Sequence, residues 1–192
     1  MFDPERDIAL AQRMVTGDAA AFEALYGHYS KALKNYFYRF CYDEREAEDL
    51  VHETFMRLWR TRDRYQPLGK FSTYLFQIAK NLWINTRERK MRNPVKTSLD
   101  PLPDGVGRLP AGRSESALAS PSDTIERAEL VDLLTAAIDE LPEKHRDVVV
   151  LGRLQGLKYK DIAEILDIPV GTVKSRMANA EAKLREKLGK LL

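Results

Sequence analysis

LPEKHRDVVVLGRLQGLKYKDIAEILDIPVGTVKSRMANAEAKLREKL, residues 141–188, decides how this chain is read. Pro142 stands at a helix start, where its missing N–H costs nothing and its fixed φ already suits a helix. Val148, Val149, Leu151 and Leu154 give the following helix an apolar side, and Gly156 lets the chain turn. A second helix, Lys158 to Leu166, buries Tyr159, Ile162, Ala163 and either Ile165 or Leu166 before Asp167, Ile168 and Pro169 break it. A third helix spaces Val173, Met177, Ala180, Leu184 and Leu188 three or four residues apart, leaving Thr172, Lys174, Ser175 and Arg176 free to face outward. A short helix, a tight break and a helix whose first exposed turns are polar and basic is the geometry that reads the DNA major groove. A small helical bundle with a solvated basic face has the same periodicity, so the rest of the chain must separate the two.

Upstream, Asn93 to Pro121 holds Pro94, Pro101, Pro103, Pro110 and Pro121 with Gly105, Gly107 and Gly112, and no apolar period. Such a composition buries too little to offset the entropy of ordering it, so 93–121 reads as a flexible linker between modules at 1–92 and 122–192. The N-terminal module is helical. Gly17-Asp18 supplies a break and an N-cap. Phe22, Leu25, Tyr26, Tyr29, Leu33, Phe37 and Phe40 then form one apolar stripe. A helix from about Glu44 to Arg60 buries Ala47, Leu50 or Val51, Phe55 and Leu58, and keeps Glu48, Asp49, His52 and Glu53 on its other side. After a loop at Gln66-Pro67-Leu68-Gly69, a long helix from about Phe71 runs through Leu75, Ile78, Ala79, Leu82 and Trp83 into Arg87-Glu88-Arg89-Lys90-Met91-Arg92. No alternating β-branched strand pattern occurs, and Val148-Val149-Val150 sits in a helical context. The fold class is all-α, two small helical domains with a helix-turn-helix at the C-terminal end.

The 192 residues carry a net charge of only +2, which argues little for nucleic acid, but the charge is unevenly spread. Asp43 to Glu53 is acidic apart from Arg45; Lys80 to Lys96 is basic apart from Glu88. Two macromolecular partners, or alternating solvated faces, both fit that division. The lone Cys41 excludes an internal disulfide framework and suits a reducing compartment. No apolar run approaches a membrane span, and the first residues lack a signal pattern, so the expected location is cytoplasmic.

Catalytic and cofactor chemistry find no footing. His28, His52 and His145 lie far apart and none stands at metal-ligand spacing. Gly105-Val106-Gly107 lies in the Pro-rich segment, without the flanking strand and helix a phosphate loop needs. A nucleic-acid enzyme would need carboxylates converging from separate elements, and Asp49 and Glu53 share one helix face without an evident third partner. Catalytic residues, metals and cofactors are all expected to be none.

Two blocks go beyond bundle physics. Ala47-Glu48-Asp49-Leu50-Val51-His52-Glu53-Thr54-Phe55-Met56-Arg57-Leu58-Trp59 resembles the polymerase-binding helix of bacterial sigma factors, and Phe71-Ser72-Thr73-Tyr74-Leu75-Phe76-Gln77-Ile78-Ala79-Lys80-Asn81 resembles their promoter-melting helix. After the linker, Leu141-Pro142-Glu143 and Pro169-Val170-Gly171-Thr172-Val173-Lys174-Ser175-Arg176 resemble their C-terminal promoter-reading domain. The likeness covers nearly the whole chain outside the linker, in order, and with two modules it resembles the extracytoplasmic-function group.

The resemblance implies a non-enzymatic subunit that binds core RNA polymerase, reads the −10 and −35 promoter elements and assists melting. Glu48, Asp49 and Glu53 would dock on the basic coiled coil of the largest polymerase subunit, with exposed Leu50, His52 and Met56 adding contact; His52 stands where the family commonly has Gln. A second polymerase contact would be the flap. Asn81 matches the family position that touches the −10 strand, with Asn85 one turn on, and the loop from Gln66 through Lys70 to Phe71 corresponds to the base-capturing loop. Tyr74 stands where many relatives have Trp, and Lys80, Arg87, Arg89 and Lys90, with Arg92, would hold phosphates. Trp83 is the aromatic expected in the core. Readers of the −35 element would be Thr172, Lys174, Ser175, Ala178 and Asn179, with Arg176 clamping backbone; Asn179 suits adenine. Relatives often carry Arg where this chain has Ala178, Asn179 or Glu181. An anti-sigma protein is the expected regulatory partner. The rival reading is a stand-alone helix-turn-helix regulator with an N-terminal sensing or dimerisation domain.

Overall fold

A computed structural model describes residues 3–92 and 121–189, so all of the expected linker except Pro121 lies outside the described residues. Every regular element among those residues is helical. The N-terminal half comprises α1 (Pro4–Val15), α2 (Ala19–Cys41), α3 (Glu44–Arg60), a short 3-10 turn (Arg62–Arg64) and α4 (Phe71–Arg92). Three aspartates set its helix starts by accepting orphan backbone N–H groups. Asp3 accepts from Glu5 and Arg6 at 3.2 and 3.3 Å. Asp18 accepts from Ala20 and Ala21 at 3.0 and 3.1 Å, directly after Gly17, whose φ of +89° needs a glycine. Asp43 caps α3 through Glu46 N at 2.9 Å.

The expected stripe of α2 is buried at Leu25, Tyr29, Leu33, Phe37 and Phe40, whereas Phe22 is half-buried and Tyr26 is exposed at the helix edge. Against it pack Ala47, Phe55 and Leu58 of α3 and Phe71, Leu75, Phe76 and Ala79 of α4, each such large apolar side chain contributing about 1.5–3 kcal/mol. Leu50 and Val51 both turn inward, because α3 is gripped by α2 on one flank and α4 on the other. Cys41 is half-buried at the end of α2, and its Sγ donates to the Asp43 carbonyl at 3.2 Å. Burial pushes that thiol up to about 11.

The C-terminal half opens with α5 (Pro121–Asp139), a helix the sequence reading did not anticipate, as it did not anticipate α1. Next come α6 (Glu143–Val149), α7 (Tyr159–Leu166) and α8 (Val170–Leu188). Pro142, with ψ of 140°, precedes the helix as its cap rather than opening it. Past Val149 the helix widens through Val150–Leu154 and closes on Gly156 at φ +69°, with Gln155 N donating to Val150 O and Leu157 N to Leu151 O, each at 3.0 Å. Leu154, expected inside, is exposed because this widened turn swings it off the apolar side. Ile165, not Leu166, faces inward; Tyr159 and Leu166 are half-buried. Asp167 ends α7 in the left-handed conformation, and Val173, Met177 and Ala180 of α8 close the core on Val148, Leu151 and Ile162.

The two halves pack together. Helix α7 lies along α4, and one apolar cluster runs continuously through both cores.

Candidate nucleic-acid interface

On α3 the caps and the apolar stripe leave one acidic side in solvent. Glu48, Asp49 and His52 are exposed and Glu53 and Met56 are half-buried. Leu50 corrects the expectation of an exposed contact: at 5% exposure it belongs to the core between α2 and α4. Two of the carboxylates are already engaged. Lys34 reaches Glu44 at 2.5 Å and Glu48 at 2.6 Å, and Arg57 holds Glu53 at 2.9 Å, keeping that carboxyl below its usual range. Asp49 is exposed and forms no ion pair among the described residues, which leaves it the open charge of this face.

Helix α4 divides into two sides. Asn81, Asn85 and Arg89 recur every fourth residue, so they form one exposed row. Phe76, Lys80, Trp83 and Arg87 alternate in steps of four and three and form a second row, in which Lys80, Trp83 and Arg87 bond to carboxylates of the C-terminal half. Lys80 is buried and donates to Asp147 Oδ2 at 2.7 Å, its ammonium also 5.9 Å from the Phe40 ring centroid. Arg87 pairs with Glu143, and Trp83 Nε1 donates to the same carboxylate at 3.3 Å, which places Trp83 in the core as expected. At the head of α4, Lys70 donates to Asp161 of α7 at 2.5 Å. Lys80, expected to be free for phosphates, is therefore enclosed, and Lys70 and Arg87 are held as well. Lys90 is held within the N-terminal half by Glu46 at 2.5 Å; Arg89 is exposed and makes no ion pair among the described residues. Tyr74 is half-buried beside Tyr65, ring centroids 5.0 Å apart, and in the loop before it Leu68 is 89% exposed.

Beside the shared apolar cluster, the seam between the halves carries polar and charged pairs. Gln77 Nε2 donates to Glu164 O at 3.1 Å, and Gln155 Nε2 to Ala32 O at 3.3 Å. Arg39 bonds Asp139 at 3.2 Å, and Arg146 donates to the Arg39 carbonyl at 3.0 Å while its guanidinium sits 5.6 Å from the Tyr42 ring. Burial pushes the Asp147 carboxyl up against the opposing pull of Lys80, and its Oδ1 has no protein partner. These pairings were missed in the sequence, although one signal was there: Lys80 occupies a position in the Phe76–Trp83 row, where a solvated lysine does not belong.

Helix α8 presents the opposite condition. Lys174, Ser175, Ala178 and Asn179 are exposed, with Thr172 and Arg176 half-buried at the edge of the apolar stripe. Ser175 Oγ donates to Thr172 O at 3.0 Å, a local bond that fixes the hydroxyl against the helix. Glu181, the carboxylate nearest these exposed residues in sequence, is paired with Arg153. A helix with exposed polar groups at its N-terminal turns, braced by α6 and α7, can enter a major groove.

Among the described residues no three potential metal ligands converge, and no helix is long and apolar enough to cross a membrane. Residues 25–93 match the family described as Sigma-70 region 2, and residues 132–184 match Sigma-70, region 4. The chain is 30% identical to the RNA polymerase sigma-H factor of Pseudomonas aeruginosa over 100% of its own length and 98% of that protein's. It is also 30% identical to the ECF RNA polymerase sigma-E factor of Haemophilus influenzae, over 97% of both chains. Among solved structures it shares the fold of CnrH, determined in complex with the cytosolic domain of CnrY (TM-score 0.68, 23% identity, 98% of this chain and 99% of that one). It likewise shares the fold of the Bartonella quintana sigma factor RpoE, determined with the anti-sigma factor NepR (TM-score 0.66, 24% identity, 88% and 96%).

Proposed function

This chain belongs to the extracytoplasmic-function group of the sigma-70 family, and from that premise we propose how three of its faces divide the work of promoter-specific initiation. Residues 1–92 form the polymerase-binding and −10 domain, and residues 122–192 the −35 domain. The acidic side of α3 docks on core RNA polymerase, with Asp49 as the charge that fixes orientation and Glu48, Glu53, His52 and Met56 around it. The exposed row Asn81–Asn85 captures −10 bases, since an amide both donates and accepts at a base edge, while Tyr74 supplies a stacking surface. Lys70, Lys80, Arg87, Arg89 and Lys90 grip phosphates once released from their carboxylates. Lys174, Ser175, Ala178 and Asn179 read the −35 element in the major groove, Thr172 and Arg176 holding backbone. The protein acts in the cytoplasm, where core polymerase is, and an anti-sigma protein is its regulatory partner.

The observation that carries this reading is the open, unpaired Asp49 on one end of the chain and the open row Lys174–Asn179 on the other, in the order of the two matched regions. The rival, a stand-alone regulator, has no use for a region-2 domain. The test is transcription in vitro with purified core polymerase on a promoter library. Promoter-specific starts should depend on the added protein and vanish with Asp49→Lys, a surface change that leaves helical content intact. Unaltered transcription by that variant would remove Asp49 from the docking face.

A further inference from the structure

The acidic side of α3 is met by cations of its own chain. Glu44 and Glu48 bond to Lys34, Glu46 to Lys90 and Glu53 to Arg57, whereas Asp49 has no ion pair among the described residues. The Arg57 pair spans one helical turn, as on any charged helix. Lys34 is of another kind. It stands on α2, 10 and 14 residues from its partners, and its one ammonium takes Glu44 at 2.5 Å and Glu48 at 2.6 Å. Its side chain is 31% exposed and theirs 48% and 59%, so water screens both contacts and they add little to stability. The two carboxylates, Glu44 before Glu48, raise the ammonium's pKa above its ordinary 10.5, so the cation stays charged throughout the neutral range. A groove between α2 and α3 is lined by Tyr26, Lys31, Lys34, Glu48, Asp49 and His52. Lys34 therefore shares a groove with the open Asp49, and a cation arriving at Asp49 meets a like charge beside it.

We infer that Lys34 is an intramolecular competitor at the polymerase-docking face: it occupies Glu44 and Glu48 in the free chain and holds down the affinity for core RNA polymerase. The inference rests on the assignment of the acidic side of α3 to docking. A basic surface that settles there either displaces the Lys34 ammonium or shares two carboxylates with it. Both cost Coulomb energy that an uncharged side chain at this position would not. The consequence is a graded response. A looser hold keeps the occupancy of polymerase proportional to the amount of protein over a wider range of concentration. A brace would act with the opposite sign: if Lys34 served to fix Glu48 in docking geometry, its removal would weaken binding. The direction of the change separates the two roles.

The test titrates the full chain, labelled with fluorescein at its N-terminus, with purified core RNA polymerase and reads fluorescence anisotropy. Lys34→Gln should bind about fivefold more tightly at about 0.1 M salt, the size expected of two exposed pairs. The gain should shrink below about twofold at about 0.5 M, where such charges are screened. Lys34→Arg keeps the charge and the reach, so it should match the wild type within about twofold. Lys31→Gln makes the same charge change in the same groove, at an exposed residue with no ion pair among the described residues, and should gain less than about twofold. Unchanged or weaker binding by Lys34→Gln overturns the inference, and so does a gain that salt leaves intact. An equal gain from Lys31→Gln overturns it too, because net charge alone would then account for the effect. Asp49→Lys separates the inference from the reading beneath it. If that variant binds polymerase as the wild type does, the docking assignment is at fault. If it fails to bind while Lys34→Gln shows no gain, the docking face stands and the competition falls.

Discussion

Helices α4 and α8 are both assigned to promoter DNA, yet the fold treats them in opposite ways. On α8 the apolar positions at Val173, Met177 and Ala180 face its own small core and the readers Lys174, Ser175, Ala178 and Asn179 stand in water. On α4 the apolar row is shared with a second domain, and a lysine is drawn in with it and buried against Asp147. The difference teaches that a cation on a helix says little about availability until the opposing surface is known. An exposed charge costs nothing to keep, whereas a buried one persists only beside a partner that meets it. The two helices thus hold the same chemistry in two states, one open and one occupied.

The sharpest way to break that comparison is to remove one lysine from each helix. Lys80→Ala leaves the Asp147 carboxylate buried without a partner, a loss of about 3–5 kcal/mol for the packed arrangement. Urea unfolding should then resolve into separate transitions for the two halves, while Lys174→Ala keeps the wild-type profile within about 0.5 kcal/mol. A single unshifted transition for Lys80→Ala would show that the buried pair does not hold the halves together. Next in size is Asn179→Ala, which should forfeit about 1–3 kcal/mol of discrimination at a single −35 position, measured by selection from a randomised promoter library. If all positions weaken equally, the residue touches backbone instead. Gly156→Ala tests the brace behind α8. At φ +69° a Cβ is strained by about 1–2 kcal/mol, so the C-terminal half should melt earlier with the N-terminal half unmoved.

The smallest effect concerns pH. His145 is buried, and burial, together with Lys144, Lys183 and Arg176 nearby, holds its pKa below the ordinary 6.5. A histidine depressed in the folded state contributes stability that is complete above 6.5 and is lost as pH falls through its folded value. Thermal stability of the C-terminal half should accordingly decline below pH 6.5, and His145→Gln should flatten that decline.

Much of the fold could be read from spacing alone. Helices α3 and α4 run over the stretches their apolar stripes mark, Glu44–Arg60 and Phe71–Arg92, and the turn ahead of α7 falls on Gly156, whose φ of +69° costs a glycine nothing. Helix α5 escaped notice for a physical reason: Leu130, Val131, Leu134, Ala137 and Ile138 share one side, but Leu133 and Ala136 fall on other sides, so no clean amphipathic period marks it. Leu130, Val131 and Leu134 are in fact exposed. At the candidate site, Asp49 and Lys174 were legible as polar positions off the stripes, whereas Asn81, Asn85 and Asn179, also exposed, were singled out through the family resemblance. The burial of Leu50 and Lys80 was not legible, because periodicity reports that a position faces something without saying what. Leu50 meets the flanking helices, and Lys80 meets an aspartate 67 residues away.

A helix that belongs to two cores at once sets a clock as well as an affinity. Any ligand for the covered row of α4 waits for the halves to part, so its association rate levels off at the rate of parting however much ligand is supplied. Its apparent dissociation constant rises in inverse proportion to the fraction of chains that are open. The row on α8 has no such ceiling, and its encounters with DNA keep pace with concentration up to the limit of diffusion. Stopped-flow traces on one protein should therefore contain a saturating phase and a linear one.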